Sequence, residues 1–130
     1  MRHLLLLLLT LTTPSLLAAA TLRTTDGLGL DLGDDGQVAG LSLQGRALPV
    51  AAGGGFYVRD VAAAGERQRL RCPILPDGGT WIQKQRFDDL GLTLETSCAG
   101  AGEYLSFSVK LTDDTGRDRA VEAGFELPFD

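Results

Sequence analysis

The strongest constraint on how this chain folds is the strict alternation of apolar and polar side chains through several short segments. In "LGLTLETSC" residues Leu90, Leu92, Leu94, Thr96 and Cys98 share one side, and "YLSFSVKL" sets Leu105, Phe107, Val109 and Leu111 against Ser106, Ser108 and Lys110. "AVEAGFELPF" alternates again through Val121, Ala123, Phe125, Leu127 and Phe129, and Leu28, Leu30 and Leu32 open the series. Successive side chains of a strand point to opposite faces, so a period of two predicts strands with one buried face. Asp34, Asp35 and Gly36 supply a hairpin turn before Val38, Leu41 and Leu43, and "DDTGRDR" supplies another, across which the last two strands are expected to pair antiparallel. "DVAAAGERQ" has room for one helical turn, limited by Gly65. About seven or eight strands with polar turns predict an all-β antiparallel β-sandwich, or part of a larger one.

Residues 1–20 are set apart from that pattern. "MRHLLLLLLTLTTPSLLAAA" combines a basic start at Arg2, an apolar run from Leu4 to Leu11, a break at Pro14 and small residues Ala18 to Ala20. This is the grammar of a secretory signal with cleavage after Ala20. The apolar run is shorter than the ~20 residues of a membrane span. The expectation is an exported protein, periplasmic or extracellular, with a β-sandwich domain over residues 21–130 and no membrane attachment after cleavage. Because the chain stops at Asp130 directly after an apolar strand, this domain is expected to be the N-terminal part of a longer protein.

Cleavage also removes His3, the single histidine. Residues 21–130 therefore lack the imidazole of Ser-His-Asp or Cys-His hydrolysis and of zinc sites, which leaves carboxylates as the acid and base groups at neutral pH. The formal charge of −5 becomes one unit more negative on loss of Arg2, a balance that repels nucleic-acid phosphates. Export favours a disulfide between Cys72 and Cys98, because alternation in "RQRLRC" and "LGLTLETSC" turns both thiols toward the buried side. Such a bridge is worth roughly 3 to 4 kcal/mol in the chain-entropy estimate, and the alternative is a pair of buried free thiols.

Candidate sites are sparse. Gly53 to Gly55 lead into Phe56, Tyr57 and Val58, without the Lys and Ser/Thr of a phosphate loop, and are expected to bring backbone close to a neighbouring strand. "DLGDDG" fails as a calcium loop at Gly33 and Ser42. No cofactor or metal is implied. Trp81 alternates with Gln83 and Gln85, and a Trp beside polar side chains offers a stacking platform for a sugar; the competing reading is a Trp on the core face. Tyr57 and Tyr104 are weaker candidates of the same kind. Asp34 with Asp35, Asp88 with Asp89, and Asp113 with Asp114 lie in turns, where Asp is common for conformational reasons. Neighbouring strand residues face opposite ways, so no catalytic carboxylate pair is expected within these residues.

The leader, the Gly-rich entry into "GGFYVRD" and the late run "LTDDTGRDRAVEAGFELPFD" together resemble the N-terminal β-sandwich region of large secreted bacterial proteins of the glycoside-hydrolase type. That region is related to the galactose-mutarotase-like and carbohydrate-binding supersandwiches, and it precedes a catalytic barrel. The resemblance implies carbohydrate as the substrate class, a C-terminal catalytic domain as partner, and catalytic carboxylates beyond Asp130. It does not extend to mutarotase chemistry, since residues 21–130 hold no histidine. The function expected is a non-catalytic accessory domain; the alternatives are a free-standing carbohydrate-binding module using Trp81 and a structural or adhesive envelope domain.

Overall fold

The computed structural model describes residues 19–129. The expected leader lies outside them except for Ala19 and Ala20. Ala20 is already a buried strand residue, paired with Leu32, so the bond after it lies within the first strand.

The chain is all-β, with every strand pair antiparallel. Strands β1 (Ala20–Arg23), β2 (Leu28–Leu32), β3 (Val38–Leu43) and β4 (Arg46–Ala47) form a meander in sequence order. The hairpin expected across Asp34–Gly36 joins β2 to β3, with a register shift at Asp31/Leu32. Strands β5 (Gly55–Asp60) and β6 (Gln68–Arg69) belong to a second sheet, completed by β11 (Val121–Glu126) in the order β11-β5-β6. The three longest strands and one short one make the third sheet: β7 (Leu75–Asp77), β8 (Thr80–Phe87), β9 (Leu92–Ala101) and β10 (Tyr104–Asp113), in the order β10-β9-β8-β7. The segment after Asp60 is a turn over Val61–Ala64 and holds no helix.

The long sheet packs one face against both smaller sheets. Near β1 to β3, Leu22, Leu30, Leu32, Val38 and Leu41 close on Cys98 and Ile74, with Trp81 and Leu105 at the margin. Near β5, Phe56, Val58 and Leu70 close on Phe87, Leu92 and Leu94. Phe125 touches both clusters, so the cores are continuous. The smaller sheets meet where Val38 N–H donates to the Gly54 carbonyl at 2.9 Å. Gly54 permits that approach: a Cβ there would stand 2.4 Å from Pro128 Cδ and 2.5 Å from the Glu126 carbonyl oxygen. The glycine run thus brings backbones together, as expected, and the architecture is sandwich-like.

Two expectations are corrected. The strands on either side of "DDTGRDR" do not pair with each other. β10 lies along β9, with Phe107 opposite Cys98, and β11 lies along β5, with Phe125 opposite Phe56. A tight turn at Gly102 and Glu103 folds β10 back on β9, and residues 114–120 then cross to the other layer. The two strands meet through side chains instead: the Phe107 and Phe125 rings stack with centroids 4.6 Å apart. Because β10 is an edge strand, Phe107 and Val109 stay partly exposed on the inward side.

Nor are Cys72 and Cys98 bridged; both are free. Strand β6 ends at Arg69, so the alternation that would turn Cys72 inward beside Leu70 is interrupted, and the chain bends at Cys72. Cys72 then packs beside the Phe87 cluster, its carbonyl accepting from Gln83 Nε2 at 2.8 Å. Cys98 is buried in the other cluster, its thiol 3.6 Å from the Trp81 carbonyl. Burial pushes the Cys98 thiol up to about 11, away from reactivity. Under native conditions Cys98 is therefore expected to resist alkylation, and in denaturant both cysteines should alkylate without prior reduction. Intact mass reads the outcome, and protection in denaturant that only a reductant removes would restore the bridge.

Candidate functional site

The outward face of the long sheet carries a recess. Alternation sends Ile82 and Lys84 outward from β8, Glu95 and Ser97 from β9, and Ser108 and Lys110 from β10. Register then aligns them: Ile82 pairs with Ser97 and Ser97 with Ser108, while Lys84 pairs with Glu95 and Glu95 with Lys110. On the far side, Leu75 of β7 stands opposite Ile82. With Cys72 and Pro73 at the rim, these two rows line an open cleft of about 480 Å³. That volume lies within the usual range of small-ligand sites, ~300–1,000 Å³.

One end of the cleft is apolar, from Leu75, Ile82 and Pro73. The other is charged. Lys84 Nζ lies 2.9 Å from Glu95 Oε1, and Lys110 Nζ lies 3.9 Å from Glu95 Oε2. The hydrogen bond from Lys84, and then the charge of Lys110, hold the Glu95 carboxyl below the usual carboxylate range. Both ammonium groups are mostly exposed, so these pairs add little to stability and leave the lysines able to exchange partners. Continuing the row of Ile82, Ser97 and Ser108 present hydroxyls, each able to donate and accept.

Of the side chains singled out in the sequence as a sugar site, Gln83 lines the cleft and Trp81, Tyr57 and Tyr104 lie elsewhere. Trp81 faces inward from β8 and packs on the core cluster near Leu22 and Leu30. Gln83 is on the same inward side and 5% exposed; its Nε2 donates to the carbonyls of Asp35 at 3.0 Å and Cys72 at 2.8 Å. It contributes to the cleft lining, yet its amide is committed to tying β8 to the β2–β3 turn. Tyr57 is buried on the outward side of the β11-β5-β6 sheet, where its hydroxyl donates to Glu122 at 2.5 Å and the Arg67 guanidinium lies over its ring. Gly124 stands opposite Tyr57, and a Cβ there would meet the Tyr57 hydroxyl at 2.7 Å. Tyr104 stands exposed at the start of β10.

The acidic pairs also have local partners. Asp35 accepts from the Gln37 backbone N–H at 3.1 Å and its side-chain amide at 2.7 Å. Asp88 and Asp114 both bind Arg86, and Asp113 binds Arg119. On the outward side of the β11-β5-β6 sheet, Glu122 binds Arg59 while Glu126 binds Arg67 and Arg69. Among the described residues, no group of three or more His, Cys, Asp or Glu is placed to hold a metal. Comparison with protein-family models, with curated proteins and with solved structures finds no match.

Proposed function

We propose that this chain is an exported, non-catalytic β-sandwich module that holds carbohydrate in the cleft of its long sheet, as an accessory to a glycoside-hydrolase-like catalytic domain. The observation that carries this reading is the composition of the cleft. An apolar strip of Leu75, Ile82 and Pro73 suits the C–H face of a pyranose ring, and beside it Ser97, Ser108, Lys84, Lys110 and Glu95 offer donors and acceptors for ring hydroxyls. Glycoside hydrolysis takes two carboxyl groups facing each other across the scissile bond. Among the described lining residues Glu95 is the one carboxylate, which supports binding without chemistry.

The test is affinity electrophoresis of the protein in native gels containing soluble polysaccharides. Ser108→Tyr, which fills the cleft from an exposed position, should abolish retardation. Trp81→Phe should leave it unchanged, since the indole faces the core. Retardation lost in Trp81→Phe and kept in Ser108→Tyr would move the site to the indole; no retardation on any polysaccharide would remove the carbohydrate reading.

A further inference from the structure

The charge balance in the cleft says more about its ligand than the apolar strip does. Two ammonium groups face one carboxylate there, a local surplus of one positive charge in a chain whose formal charge is −5. The two lysines are unequally committed. Lys84 donates to Glu95 at 2.9 Å, whereas Lys110 stands 3.9 Å away, beyond hydrogen-bond range. Lys110 is thus a cation with its donors available. It sits beside Ser108, which is two residues back on the same strand and faces the same way, about 7 Å off. Neighbouring strands lie about 4.8 Å apart, so Lys110 and Lys84 flank Glu95 across roughly 10 Å.

From this geometry we infer that the cleft selects saccharides carrying ring carboxylates, the polyuronates, with Lys110 binding the carboxylate; the inference rests on the carbohydrate reading above. One ring of the chain lies with its C–H face on Ile82 and Leu75 and its hydroxyls toward Ser97, and the carboxylate of the next ring reaches past Ser108 to Lys110. Glu95 disfavours an anion at the centre of the row, so the carboxylate is directed to the β10 side. The same glutamate keeps Lys84 occupied and accepts from a sugar hydroxyl. Because the lysines hold the Glu95 carboxyl ionised below its ordinary range, the charge pattern of the cleft persists throughout neutral pH.

The intact protein is run in native gels containing polygalacturonate, alginate, dextran or polyglutamate. Expected is retardation by the two polyuronates and none by dextran or polyglutamate. Lys110→Gln should weaken polyuronate affinity roughly tenfold, the worth of one charge-assisted hydrogen bond. Glu95→Gln should strengthen it, because the carboxylate that repels the ligand and occupies Lys84 is gone. Both positions are solvent-accessible, and unchanged melting temperatures identify folded variants. Equal retardation by dextran would overturn the inference and leave the carbohydrate reading standing. Equal retardation by polyglutamate would overturn it in favour of charge alone. No retardation by any polysaccharide would end both, and undiminished polyuronate binding in Lys110→Gln would remove the assigned role of Lys110.

Discussion

Replacing Arg119 with methionine is expected to lower the melting temperature by roughly 10 °C. The Arg119 side chain is 7% exposed. Its Nη1 lies 2.9 Å from Asp60 Oδ2 and its Nε 2.8 Å from Asp113 Oδ2, while Nη2 donates to the Leu90 carbonyl. One guanidinium thereby ties the β10–β11 crossing to the end of β5 and to the β8–β9 turn. Methionine keeps much of the length and apolar stem but leaves two carboxylates without their cation, the costly way to break such a cluster. Arg86 makes a useful control, since it also bridges two aspartates but is half exposed. Arg86→Met should barely move the transition.

The same variant should change how stability depends on acid. Arg119 and then Thr115 hold the Asp113 carboxyl well below the usual carboxylate range; the Ala63 backbone N–H and then Arg119 lower that of Asp60. Carboxyl groups with depressed folded pKa values contribute stability that is complete above the ordinary carboxylate range and lost as pH falls through the folded value. The wild-type melting temperature should therefore decline from about pH 5 downward. Arg119→Met removes part of that decline, and the two curves should converge toward low pH. Parallel curves from pH 7 to 2 would show that Arg119 does not act through these carboxylates.

How much of this was legible in the sequence depended on whether a feature is local. Alternation in "LTLETSC" correctly separates buried Leu92, Leu94, Thr96 and Cys98 from the rest of β9, because the face a residue takes follows from its place on the strand. Alternation does not name a strand's neighbour, and so it missed that β10 folds back on β9 while β11 crosses to β5. The disulfide expectation extended one period through Cys72 where β6 had already ended at Arg69. Trp81 and Gln83 do share a side of β8, but only the packing against β1 to β3 shows that this side is the interior. The cleft was harder to foresee for a related reason. Lys84, Glu95, Ser97, Ser108 and Lys110 come from three separated runs in which each looks like an ordinary outward residue, and only the register brings them into two rows.

The second large effect is expected from one chemical change made on opposite sides of the long sheet. Leu94→Ala should cost about 2–5 kcal/mol, because Leu94 is 0% exposed among Phe56, Val58, Phe87 and Leu92 in a central strand that cannot collapse around a void. Leu75→Ala removes the same atoms from a residue 55% exposed at the apolar end of the cleft, and should change stability by less than about 0.5 kcal/mol. Binding should respond in reverse. Folded Leu94→Ala keeps the outward rows intact and should retain saccharide affinity, whereas Leu75→Ala loses ring contact and should bind more weakly. Chemical denaturation and affinity electrophoresis on the same two proteins measure both halves. If Leu75→Ala binds like the wild type, the apolar wall takes no part in recognition; if Leu94→Ala is as stable as the wild type, the inward face of β9 is not the core that its alternation and packing make it.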